Sequence, residues 1–143
     1  VEKEKINDDK KMILSEEVAQ QQLDVLVDWY DVDPKDFDKG TEKSSAKSSC
    51  KKILNGIKKG RLTIEIKDDT IVIIQKIGKA GEELKYRELE GKHKLAMDKA
   101  DEEYAKMFAL IGSITGIGSG GIAKLKGADL SLAEALGTLL FLA

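Results

Sequence analysis

The spacing of apolar residues changes several times along the chain, and each change predicts a different element. Residues 1–11, VEKEKINDDKK, are almost wholly polar and predict a mobile lead-in. Ser15 is then placed to cap a helix, with Glu16 and Glu17 in a first turn where the helix dipole favours anions. The helix runs from about Glu16 to Tyr30, with Val18, Leu23, Val25, Leu26, Trp29 and Tyr30 on one broad apolar face. It must stop before Pro34, which lacks the amide hydrogen to continue the ladder. A second helix is expected from Ala46, where Ala46, Cys50, Ile53, Leu54 and Ile57 form a stripe. Lys47, Lys51, Lys52, Lys58 and Lys59 make up its solvated back.

The period then shortens from helical to alternating. Leu62, Ile64 and Ile66 alternate with Thr63, Glu65 and Lys67, and β-branched residues run from Ile71 to Ile74. Asp68 and Asp69 supply the turn of a β-hairpin, and LKYREL offers a third extended segment. Beyond it Leu95, Met97, Ala100, Tyr104, Met107, Phe108 and Ile111 return to helical spacing, with Asp98 and Asp101 marking a kink or a boundary. A short helical turn around Ile122 to Leu125 follows. Ser131 and Glu134 have the spacing of a capping box for a last helix that buries Leu132, Ala135, Leu136, Leu139 and Leu140. The pattern predicts an α+β fold, mainly helical, with a hairpin or small antiparallel sheet near residues 61–87 and five or six helices. Residues 1–60 form a helical extension with an acidic linker, and 61–143 a hairpin with a helical domain, the whole one compact unit.

Composition changes this picture little. Hydrophobic residues make up 41% of the 143 and charged residues 35%, and the net charge is -2, which suits a soluble domain and gives no overall attraction to nucleic acid. Aromatics are only 5%, so few ring faces exist for stacking bases. A single cysteine, Cys50, excludes an intrachain disulfide, and its place on an apolar stripe predicts a buried, inert thiol. Together with the absence of an export signal in the opening residues, this predicts a cytoplasmic protein.

Three motifs invite chemistry and each fails on its neighbours. Gly116 to Gly121, GIGSGG, spells a dinucleotide fingerprint. It follows a helical pattern instead of a strand, and the residues after it are too few for the rest of that fold. Asp31, Asp33 and Glu42 match loop positions one, three and twelve of a calcium loop, but Lys35 and Asp36 stand where a ligand and a glycine are required. An acidic linker is the better reading. The uncharged stretch Met107 to Ala123, with Gly112, Gly116 and Gly120 at four-residue spacing, is too polar and too short to span a bilayer comfortably. Its glycines instead end a helix at about Thr115 and let the last helices pack closely. His93, the sole histidine, sits in a charged run and is expected to face solvent. No catalytic, metal or cofactor residue is assigned, and a protein-binding role becomes the default.

The C-terminal stretches LKYRELEGKHKLAMDKAD, KMFALIGSITGIG and IAKLKGADLSLAEALGTLLFL resemble the tail assembly chaperones of tailed bacteriophages over residues 81–143. The features that match are the Leu89 to Gly91 turn, the Thr115-Gly116 break, Leu125, the Asp129-Leu130 step and the helix from Ser131. The resemblance implies a non-enzymatic virion assembly factor that binds the tape-measure protein, with the tail-tube protein as a further partner, and keeps it soluble in the host cytoplasm. Contact residues are then expected at Met107, Phe108, Ile111, Ile114, Leu132, Leu136, Leu139 and Leu140. The rival is a structural or membrane-associating helical tail component. Nucleic acid is not an expected partner, and oligomeric state, a homo-oligomer included, stays open.

Overall fold

The computed structural model of the chain describes residues 14–32 and 40–143. Ser15 opens α1 (Glu16–Trp29), its hydroxyl accepting the Val18 N–H at 3.3 Å, with Glu16 and Glu17 in the first turn. The buried face is Ala19, Leu23 and Leu26, while Val18 is exposed. That corrects its place in the stripe: Val18 is one position out of phase with the residues four and three apart that point inward. At the end of α1 the Tyr30 hydroxyl accepts the Leu89 N–H at 2.9 Å, and Val32 is buried. The expected lead-in, and the linker acids Asp33, Asp36 and Asp38 with Pro34, lie outside the described residues.

Helix α2 (Gly40–Lys58) begins earlier than Ala46, so the last part of the expected linker is helical. Ile53 and Ile57 are fully buried, and Ser49 is buried beside them. Cys50 is half-buried rather than sealed, and burial pushes its thiol pKa up. Three antiparallel strands follow in the order β1 (Leu62–Lys67), β2 (Thr70–Ile77) and β3 (Glu82–Tyr86). Asp68 and Asp69 both take left-handed backbone, φ 53° and 60°, as a two-residue hairpin turn demands. Pairing Leu62 with Gln75 and Gln75 with Leu84 sets one face of Leu62, Ile64, Ile71, Ile73, Leu84 and Tyr86 toward the helices. Ile66 follows the same alternation yet is exposed on the first strand beside the hairpin turn, although its cross-strand partner Ile71 is buried.

After the sheet come α3 (Gly91–Leu95), a 3-10 turn (Ala96–Lys99), α4 (Glu103–Thr115), α5 (Gly118–Ala123) and α6 (Gly127–Leu142). The boundary expected between Asp98 and Asp101 is there: Ala100 is extended, φ -113° and ψ 140°. Gly116, left-handed at φ 79°, ends α4 at Thr115 and returns its N–H to the Gly112 carbonyl at 2.9 Å. The short turn placed around Ile122 to Leu125 is α5, which starts earlier and ends at Ala123.

Two local expectations are overturned. The Ser131 and Glu134 capping box does not exist, because α6 starts at Gly127 and both residues lie within the helix. The helix start is set instead by Lys126, which is extended, and by left-handed Gly127 at φ 53°. His93 is 2% exposed, not solvent-facing. Its Nδ1 accepts the Glu90 N–H at 2.9 Å and closes the first turn of α3.

Six α-helices and a small open sheet among the described residues thus make an α+β architecture. One buried cluster joins Leu23 and Leu26 of α1, Ile53 and Ile57 of α2, the inner sheet face, Leu110, Ile111 and Ile114 of α4, and Leu132, Leu136, Leu139 and Leu140 of α6. Within it a polar chain ties sheet to helix. The Tyr86 hydroxyl donates to Gln75 Oε1 at 2.6 Å, and Gln75 Nε2 donates to the Asp129 carbonyl at 2.9 Å. Burial raises the Tyr86 pKa, keeping the phenol a neutral donor. Among the described residues no helix is long and apolar enough to cross a membrane.

Candidate functional site

The eight residues expected to contact a partner separate into two groups. Ile111, Ile114, Leu132, Leu136, Leu139 and Leu140 are buried within the chain's own core. Met107 and Phe108 are only partly buried, and they face different depressions. Met107 borders a polar cleft of about 330 Å³ between α2, α4 and α6, with Lys52, Glu103, Tyr104 and Glu134 around it. Phe108 borders a larger, more apolar groove of about 790 Å³ formed by the 3-10 turn, α4 and α5.

Helix α4 builds this groove because its two faces carry residues of different size. Leu110, Ile111 and Ile114 point inward, where Ile111 meets Gly137 of α6 so closely that a Cβ there would sit 2.6 Å from Ile111 Cδ1. Ala105, Ala109, Gly112 and Gly116, at spacings of four, three and four, line the outer face. Gly112 sets the second wall. A Cβ at that position would lie 2.6 Å from the Ser119 nitrogen and closer still to the Gly118 carbonyl carbon, so only glycine lets α5 fold back onto α4. The Arg87 N–H, at 3.2 Å from the Ile114 carbonyl, fastens the end of α4 to the strand edge.

The floor is therefore shallow in side chain and close to backbone, with Ala96 and Ala100 on one side and Gly120 and Ala123 on the other. Phe108 is the one large apolar side chain among the described residues that line it. Its ring meets Tyr104 edge-on, centroids 6.3 Å apart and planes at 75°, and Tyr104 is 66% exposed. Leu95, next to Ala96 in the chain, is 65% exposed. Tyr104 and Leu95 had been read as members of one helical stripe; the break at Ala100 separates Leu95 from α4, and Tyr104, though in phase with Ile111, is exposed in the first turn of α4. Lys99 is the sole ionisable side chain among the described residues lining the groove. Such a surface can take up apolar side chains and a closely approaching helix; it offers no acid and base in pair.

Sequence reasoning chose the large residues of α4, read Gly112 and Gly116 as allowing close helix packing, which α5 does at Gly112, and missed the alanines. The signal was available: Ala105 and Ala109 repeat opposite the large apolar residues of the same helix, in line with those glycines. Comparison with protein-family models, with curated proteins and with solved structures finds no match for this chain.

Proposed function

We propose that this chain is a non-enzymatic tail assembly chaperone of tailed phages, acting in the host cytoplasm, which holds an amphipathic helix of the tape-measure protein in the groove along α4 and α5. The observation that supports this reading is the groove itself: an apolar, small-residue floor open to solvent, with Phe108 beside it and exposed Tyr104 and Leu95 nearby. The partner follows from the resemblance of residues 81–143 to the tail assembly chaperones.

A partner helix with large apolar residues at three- and four-residue spacing would set them against Ala and Gly positions, where the backbones can approach more closely than two ridges of leucine permit. Each large apolar side chain taken fully out of water contributes about 1.5–3 kcal/mol, so two or three such residues would hold the partner reversibly. Reversibility suits a chaperone, which must surrender its client when tail-tube subunits polymerise around the tape measure. Phe108 acts as the large anchor on this side, and the depth left by Ala105 and Ala109 accepts the anchors of the other.

Co-expression tests the reading. A tape-measure fragment should be soluble with the wild-type chain and aggregate alone or beside Phe108→Asp. A fragment equally soluble with and without this protein would overturn the proposal.

A further inference from the structure

A second surface, distinct from the groove, gathers positive charge. The α2–β1 loop, the end of β2 with the turn into β3, and the start of α6 meet around a cleft of about 540 Å³. Lys59, Arg61, Lys76, Lys79 and Lys126 line it, and all five are exposed. An adjoining depression shares Lys59 and Arg61 and adds Lys52, extending the positive surface along α2.

The cations are held together by backbone. The Arg61 N–H donates to the Gly56 carbonyl at 2.9 Å, and the Lys76 N–H to the Arg61 carbonyl at 2.8 Å, which sets the α2–β1 loop against β2. Asp129 then fixes α6 to the same place: its Oδ2 accepts the Gly78 N–H at 2.9 Å and its carbonyl accepts Gln75 Nε2 at 2.9 Å. Asp129 is the single carboxylate among the described lining residues, and its Oδ2 is held by that backbone hydrogen bond. None of the five cations makes an ion pair with any described residue, and Glu83, opposite Lys76 in the strand register, does not reach it. Five like charges are thus brought to one cleft with one carboxylate among them, an arrangement that an anionic ligand relieves.

We infer that this cleft binds an acidic polypeptide segment. Lysine ammoniums are separate point charges that pair singly with the carboxylates of successive Asp or Glu residues, and four of the five cations are lysines. Among the described residues lining the cleft none is aromatic, so none offers a face on which a base could stack. The net charge of -2 also opposes a long polyanion, whereas a short acidic segment feels mainly the local field within a Debye length of about 8 Å at physiological salt. The inference stands apart from the groove and does not depend on which protein occupies it.

The test titrates the full chain with a fluorescent Glu-rich peptide, its Gln-for-Glu counterpart and a single-stranded oligonucleotide of equal charge. The Glu-rich peptide should bind, and weaken as salt rises. It should bind about tenfold more weakly to the Lys79→Glu, Lys126→Glu double variant. A control of equal charge change outside the cleft, Lys94→Glu with Lys106→Glu, should retain most of the affinity, and circular dichroism should show both variants folded. Arg61→Ala should give a smaller loss in the same direction. Tighter binding of the oligonucleotide, equal binding of the Gln peptide, equal losses in both double variants, or no binding at low salt would each overturn the inference.

Discussion

Along α4, Leu110, Ile111 and Ile114 are fully buried against the rest of the chain, while Ala105 and Ala109 on the opposite side line a groove open to solvent, with Phe108 at its edge and α5 closing over Gly112. Both faces are apolar, and they differ in side-chain size and in what covers them. The inner face is filled by α6, where Gly137 lets Ile111 approach, so its contacts are completed within the molecule. The outer face keeps depth at Ala105 and Ala109, whose short side chains leave it unfilled, while α5 packs over Gly112. Scattered exposed apolar residues are ordinary on protein surfaces, but a contiguous concave apolar strip is not. An inward face of this kind stabilises the fold, and an outward one is free to stabilise a complex.

Substitutions on the two faces should therefore separate stability from binding. The largest effect is expected inside: Leu136→Ala, at a fully buried core position of α6, should lower unfolding free energy by about 2–5 kcal/mol in denaturant titrations. Tyr86→Phe should cost about 1–3 kcal/mol, because Gln75 Oε1 would lose its buried donor while the ring packing survives. On the outer face Phe108→Asp, at a side chain only partly buried against the core, should cost less stability than Leu136→Ala and yet abolish the proposed tape-measure binding. Comparable losses of stability from Leu136→Ala and Phe108→Asp would erase the distinction between the faces.

The smallest effect concerns pH. Burial, with the charges of Lys92 and Arg87, holds the His93 imidazole below its ordinary value of 6.5, against an opposing pull from Glu90. The unfolded chain then takes up this proton first as pH falls. The contribution is fully present above the ordinary value and is lost progressively as pH drops through the folded one. Protonation would also remove the Nδ1 acceptor from the Glu90 N–H. Between about pH 7.5 and about pH 5.5 the wild type should lose more stability than His93→Gln in matched denaturant titrations.

Much of the architecture was legible because local chemistry and packing agree. Ser15 with Glu16 and Glu17 starts α1, the Asp68-Asp69 pair turns the hairpin, and Gly116 stops α4 at Thr115. The early start of α2 was hidden, since Gly40, Thr41, Ser44 and Ser45 are weak helix formers and Gly40 to Ser45 holds no apolar residue to mark a stripe. The Ser131 and Glu134 spacing misled because a capping box is a pattern of two residues, and left-handed Gly127 had already begun the helix. His93 looked exposed among lysines because sequence shows neighbours along the chain, while its burial arises from folding of the α3 turn.

The candidate site was legible only in part. Periodicity marked α4 and α6 as apolar, and Phe108 was among the residues chosen, but periodicity cannot tell a surface covered by the chain itself from one left for a partner. Ile111, Ile114, Leu132, Leu136, Leu139 and Leu140 carry the stronger hydrophobic signal, and they are the ones that pack inside. The basic cleft was not legible at all. Its charges come from three loops, separated by strands and helices, that meet only when Asp129 is fixed to Gly78 and Gln75 to Asp129.

Amide hydrogen exchange on the purified chain, with and without a tape-measure fragment, tests the central claim most directly. The account predicts slowed exchange on binding across residues 96–123, the 3-10 turn, α4 and α5, with α6 little changed because its buried face is already protected. Exchange in 96–123 left unchanged, while protection appears elsewhere in the chain, would contradict it.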